Sequence, residues 1–401
     1  MNIQSTVIPF ILIAILCGCS AKSDKVLEIP VPTSDNSQFP RLTSDNTGTV
    51  FMSWYEHEKE IASLKFSTFK QSKWTTPKEI ASGEEWFINW ADFPSIIAID
   101  GKPMAAHWLN KVDGGTYAYE INMSIFDDDW GPVFTPHLDN TATEHGFVSM
   151  TPISNNSFIS VWLDGRRTEN RSDNEYTDMS KAMTLRAALI DTSGSVLQKY
   201  LLDDTVCDCC NTAIAKTNSG YLVAYRNRTK NEIRDIYTVS IQNDGSVSNP
   251  KVVYNDNWKM PACPVNGPAL ASYGDEVGLA WFTAAGNNRA VKLALSSDGG
   301  LTFAEPFLLD DKTPIGRVDI AFTKEKIWVS WLQTIAGQAF LNLSSYNKNG
   351  EFLDEIIIDE VSGSRETGFP QIATVKNGIL VAFTSLGAKN NYRIRTLLVE
   401  E

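Results

Sequence analysis

Across 401 residues the sequence is short of positive charge, short of cysteine, and without an apolar run long enough to cross a bilayer. Lys and Arg number 35 against 48 Asp and Glu, a formal net charge of −13. That deficit argues against sequence-independent nucleic-acid binding, which works by neutralising phosphates. It leaves room for a local basic pocket that holds an anion. The apolar stretch VIPFILIAIL, residues 7–16, falls well below the roughly 20 residues a spanning helix needs. Of the six cysteines, two follow that stretch directly, and three of the other four crowd into VCDCCNTA, residues 206–213.

What is present at the N-terminus fits an exported chain. VIPFILIAIL has the length of a signal-peptide core, and Leu16-Cys17-Gly18-Cys19 after it resembles the bacterial lipobox. The resemblance implies cleavage after residue 18, acylation of Cys19 and, because Ser20 follows, sorting to the outer membrane. Residues 1–18 are therefore expected to be leader, 19–25 a tether and 26–401 one domain. The expected location is the cell envelope, facing periplasm or exterior, with lipid as the only membrane contact and a monomeric state.

The remainder is repetitive. Short alternating segments end in a large aromatic at Trp54, Trp108, Trp162, Tyr225, Trp281, Trp331 and Phe383. A small-residue segment precedes each, and one or two further strand-like segments follow. Four strands per repeat of about 50 residues is the pattern of a β-propeller blade. The spacing predicts seven four-stranded blades, with a six-bladed ring as the alternative. The seventh repeat stops after its third strand. VLEIPV, residues 26–31, is expected to supply the missing one and close the ring.

Ser296-Ser297-Asp298-Gly299-Gly300-Leu301-Thr302-Phe303 matches S-x-D-x-G-x-T-W/F, the Asp-box, at every defined position. On that motif and the repeats the chain resembles the bacterial sialidase-like or BNR-repeat proteins. The resemblance implies a propeller and an active site of arginines, an acidic acid/base and a Tyr–Glu pair. Arg41, in Phe39-Pro40-Arg41-Leu42, is similar to that family's first arginine. Trp54-Tyr55-Glu56-His57-Glu58 stands where the family has its Asp.

In a propeller the loops leading into each first strand and leaving each second strand share one face. Those loops carry Asp92, Glu144, His145, Asp164 and Asp319 as candidate acids, bases and proton carriers. They also carry Arg41, Arg166, Arg226 and Arg317, from four repeats, and Asn266, as candidate contacts to an anionic group. His107 falls on a packing face and is expected to be a core residue. Cys207, Cys209, Cys210 and Cys263 lead into adjacent blades, so disulfides are expected in an oxidising compartment. The competing reading is a thiolate site for copper or zinc, with His145 as an added ligand; otherwise no cofactor is expected. Together these features predict an exo-glycosidase or lyase acting on an acidic glycan. The alternatives are a non-catalytic propeller binding an anionic glycan or partner protein, and a copper- or redox-handling lipoprotein.

Overall fold

The computed structural model describes residues 25–172, 175–387 and 391–401; the expected leader and the expected acylation site, Cys19, lie outside them. Seven antiparallel sheets follow one another along the chain as the blades of a propeller. Their inner strands are Ser37–Ser44, Ser95–Ile99, His145–Ser154, Ala213–Lys216, Ala269–Tyr273, Pro314–Phe322 and Gln371–Val375. Each pairs with the next strand in sequence, as short hairpins dictate. In blade 1 the outer position is filled by two pieces, Lys73–Trp74 and Lys78–Gly83, both on the third strand.

The seventh blade closes as its truncated repeat requires. Val26–Ile29 pairs antiparallel with the C-terminal strand Tyr392–Glu400, Val26 opposite Val399 and Ile29 opposite Thr396. Both chain ends thus share one sheet, and the edge that an open ring would expose is covered.

The repeated aromatics explain why the blades stack. All seven lie on second strands with at most 3% of their surface exposed, in the apolar layers where neighbouring sheets meet. Each ring carrying a polar tip must satisfy it there. Trp54 Nε1 donates to Glu56, Trp162 Nε1 to Asp164, Trp281 Nε1 to Asp256 and Trp331 Nε1 to Asp310, at 2.7–3.0 Å. The Tyr225 hydroxyl donates to Asp203. A carboxylate beside five of the seven rings is therefore part of the fold. His107, also fully buried, meets the Ser95 hydroxyl through Nδ1 at 3.0 Å, as a core histidine should.

The turn at 296–303 is structural too. Asp298 accepts from the Ser296 hydroxyl and from both the amide and hydroxyl of Thr302. Gly299 and Gly300 take φ of 73° and 85°, and at Gly300 a Cβ would meet Leu222 at 2.3 Å. Phe303 packs beneath, with Leu279 and Trp281.

One backbone device recurs on the opposite, lead-in face. Phe39, Phe147 and Arg317 each have φ of 54–55°, a conformation few non-glycine residues adopt. Each sits inside a β-bulge of its inner strand, between Gln38 and Arg41, Gly146 and Ser149, and Gly316 and Asp319. A bulge re-aims the residues after it. Here Arg41, Ser149 and Asp319 come to line the central channel.

Candidate functional site

Two cavities lie along the lead-in half of the axis. The channel itself encloses about 100 Å³ between the inner strands, with Arg41 and Asp319 among its walls. Arg41 stacks 5.7 Å from the Phe93 ring and has no ion pair among the described residues. Asp319 accepts from the Ile372 and Ile320 amides, yet burial pushes its carboxyl up to about 6, with Arg41 opposing the shift.

Off the channel mouth opens a pocket of about 360 Å³. Its rim is aromatic, formed by Trp90, Tyr117, Tyr119 and Tyr176, and its polar walls are Glu144, Arg171, Asp208, Cys209, Cys263 and Arg365. The loop leading into blade 2 brings Trp90 and Asp92, and that of blade 3 brings Glu144. Tyr119 opens the third strand of blade 2.

At this junction three groups share protons. The Tyr119 hydroxyl lies 2.9 Å from Asp92 Oδ2 and 2.8 Å from Glu144 Oε1. A phenol has one proton to donate, so with both oxygens in contact one carboxyl must carry a proton of its own. Burial drives this. Asp92, 1% exposed, is pushed up to about 7, against the pull of the Phe147 amide and Tyr119. Glu144 is pushed well above the carboxylate range by burial, with Asp208 and Asp92 adding repulsion. Tyr119 is raised by burial and by both carboxyls, and stays a neutral phenol. The trio can therefore give up one proton and accept another near neutral pH.

Cations flank the pocket. The Arg317 and Arg365 guanidiniums lie 4.9 and 5.7 Å from the Trp90 ring. Arg317 is fully engaged, donating to the carbonyls of Gly363, Ser364 and Gly368. Arg365 is exposed and has no ion pair among the described residues. Arg171 is tied to Asp208 at 3.0 Å.

The other expected residues take different positions. The arginines do not converge on one pocket. Arg226 is 1% exposed and spends its donors on the carbonyls of Arg234, Asn266 and Phe282, tying blade 4 to blade 5. Asn266 accepts from the Arg317 amide at 2.8 Å and so belongs to the same lacing. Arg166 forms a bidentate pair with Asp164 and reaches Asp139 at 2.8 Å. Asp164 also holds the Trp162 tip, and Arg166 keeps its carboxyl low despite burial.

His145 points into that ion-pair cluster rather than the pocket. Its ring stacks on His137 at 3.9 Å, and Nε2 meets Asp139 Oδ2 at 3.0 Å. Burial pulls His137 down and so keeps it neutral, while Asp139 is held ionised against its own burial by contacts with His137 and then His145. His137, Asp139 and His145 are close enough to share an ion, but the Arg166 guanidinium already supplies the positive charge there.

The cysteines also depart from expectation. The structure joins none of the four in a disulfide. Cys207 Sγ and Cys210 Sγ are 3.6 Å apart, against about 2.05 Å for a disulfide. The sulfurs of Cys207, Cys209 and Cys210 lie within 4.8 Å of one another, a group that includes neither Cys263 nor His145; Cys263 is a neighbour of Cys209.

A larger cavity, about 770 Å³, opens at the other mouth. Several of its polar groups are engaged in contacts between blades. Asn46 and Asn155 both donate to Asp100, and Asn218 donates to Asp275. Size alone does not make a site; convergent polar groups with shifted protonation do.

No family model matches the chain, and no curated protein matches it. Among solved structures, a PL25 ulvan lyase bound to -[GlcA(1-4)Rha3S]- aligns with a TM-score of 0.55 at 11% identity, covering 94% of this chain and 96% of that one. A second PL25 ulvan lyase structure gives 0.55 at 12% identity over 94% and 96%. A puromycin-hydrolysing peptidase of Mycobacterium tuberculosis gives 0.51 at 11% identity over 92% of this chain. This chain spans only 53% of that peptidase. Identities this low establish the fold, a seven-bladed propeller, and nothing about the chemistry.

Proposed function

We propose that this propeller binds and cleaves an acidic glycan in the pocket at its lead-in face, at the cell envelope. The observation that carries the reading is the shared proton of Tyr119, Asp92 and Glu144, set in the wall of an aromatic-rimmed pocket with an unpaired guanidinium, Arg365. Trp90 is itself covered by Phe369, Arg317 and Arg365, so a sugar ring stacks on the exposed Tyr117. Arg365 takes the carboxylate or sulfate of the glycan as a bidentate partner. Glu144, a neutral acid facing the pocket, protonates the leaving oxygen.

Tyr119 fills the gap between the two carboxyls, so these cannot flank a glycosidic bond as the acid pair of a hydrolase does. The reactive groups are then Glu144 and the Tyr119 phenol. In its ionised form, above about pH 7, Asp92 takes the Tyr119 proton when the phenol acts as base or nucleophile. A phenolic base would abstract the proton beside a uronate carboxylate, the elimination a lyase performs. The likeness to a ulvan lyase supports a glycan ligand; the residues named here rest on this chain's own geometry. The envelope location and lipid anchor rest on residues 7–19 of the sequence.

The test is turnover on uronate-containing, sulfated and neutral oligosaccharides, followed by ultraviolet absorbance of an unsaturated product and by new reducing ends. The expected result is cleavage of an acidic substrate that Glu144→Gln or Tyr119→Phe lowers by roughly 10²–10⁴-fold. Binding of an acidic glycan without any product would make the protein a lectin-like propeller instead.

A further inference from the structure

The proton-sharing trio leaves the cysteine cluster unexplained. We infer that Cys207, Cys209, Cys210 and Cys263 form a centre for one thiophilic d10 cation, zinc(II) or copper(I), in the wall of the same pocket.

Spacing is the first argument. A tetrahedral zinc centre with Zn–S bonds near 2.3 Å sets its sulfurs roughly 3.8 Å apart along each edge. Cys207 and Cys210 stand 3.6 Å apart, and the sulfurs of Cys207, Cys209 and Cys210 all lie within 4.8 Å of one another. Cys207 and Cys210 also have the C-x-x-C separation that suits two ligands of one ion.

The fourth thiol arrives from the adjacent blade. At Gly267 a Cβ would lie 2.2 Å from the Asn211 carbonyl oxygen, so the loops leading into blades 4 and 5 are in contact. Cys263, on the second of these loops, is a neighbour of Cys209; it lies outside the group of three mutually close sulfurs, and its exposed position leaves its side chain free to swing in as the fourth ligand. The site therefore joins two blades at the pocket edge, with Cys209 and Cys263 both on the pocket wall.

Charge is the second, independent argument. Three or four thiolates on a mono- or divalent ion leave the centre anionic, and a buried anion needs compensation. Arg228 and Arg234, both at most 1% exposed, stand in the loops around it. Arg234 pairs with Glu232 through Nη2 only. Its Nε and Nη1 are buried without a hydrogen-bond partner among the described residues, while Nη1 of Arg228 faces Asp208 Oδ1 at 3.5 Å. Such unpaired donors are rare in folded proteins, and an anionic metal–thiolate cluster beside them accounts for them. Softness of the donors selects zinc or copper(I) over calcium or magnesium.

The experiment uses the full-length protein, reduced and stripped of metal. Zinc(II) and copper(I) are titrated separately against chromophoric chelators, with cobalt(II) as the optical reporter of tetrahedral thiolate. One equivalent of zinc or copper per chain is expected, and the arm with the tighter uptake names the ion. Cys263→Ser, at an exposed position, should keep the fold by circular dichroism and weaken retention at least about tenfold. His145→Ala should leave retention unchanged. The proposal is overturned if the reduced chain takes up no stoichiometric metal, or if Cys263→Ser and Cys209→Ser hold metal as the wild type does. It is equally overturned if the intact mass of the exported protein shows the thiols joined in disulfides.

Discussion

At the scale of single residues, the same side-chain types do opposite work according to what surrounds them. Asp164 and Asp92 are both buried carboxyls. Asp164 faces Arg166 and is held ionised, whereas Asp92 faces a phenol and an amide and holds its proton to about pH 7. An unfolded aspartate releases its proton near pH 4. Between those limits the native chain binds the extra proton, so this group's stabilisation is present below pH 4 and lost as pH rises to about 7. Histidines 57, 107 and 137, kept neutral by burial, pull the other way below about pH 6.5. The comparison with Asp92→Asn isolates the aspartate. In thermal melts from pH 5 to 8 the variant should gain steadily on the wild type, by a few kcal/mol at most. A constant gap would mean that Asp92 is ionised throughout.

Arg226 gives the second prediction at this scale. Its guanidinium satisfies carbonyls of Arg234, Asn266 and Phe282, and truncation would strand them at about 1–3 kcal/mol each. Arg226→Ala should therefore unfold at much lower denaturant. Arg365→Ala should melt as the wild type does, but raise KM for an acidic substrate about tenfold. Equal stability of the two variants would contradict the division of labour between structural and ligand-facing arginines.

At the scale of the element, strands were legible because their causes are local. An apolar alternation ending in a large aromatic forces a half-buried strand, and all seven such positions are buried where blades meet. The bulges were not legible. Phe39, Phe147 and Arg317 are residue types that give no warning of positive φ, and only the assembled ring holds them there. Reading those loops as regular misplaced Arg317, while Arg166 was diverted by Asp164 and Arg226 by the carbonyls of the next blade. The same blindness hid Tyr119, which looks like an ordinary strand residue until two other lead-in loops bring carboxyls to it. Asp92 and Glu144 were found because they sit at loop ends; their partner was not. The turn at 296–303 was legible residue by residue. Asp298→Ala should cost about 1 kcal/mol and speed hydrogen exchange at Thr302 while leaving pocket residues protected as before.

At the scale of the whole molecule, closure converts seven marginal sheets into one ring. Each blade buries its faces only against its neighbours, so the pairing of Val26–Ile29 with Tyr392–Glu400 carries a share of stability out of proportion to its length. Removing residues 26–31 should lower the melting temperature sharply and promote association through the freed edge of the C-terminal strand. Closure also fixes the site, because the pocket borrows walls from the lead-in loops of blades 2, 3, 4, 5 and 7. The most direct measurement is a crystal structure of the Glu144→Gln variant with an acidic oligosaccharide. The account predicts a sugar ring on Tyr117, the acidic group on Arg365, and a glycosidic oxygen within hydrogen-bond reach of residue 144. An oligosaccharide seated at the opposite mouth, among Asn46, Asn155 and Asn218, would contradict it.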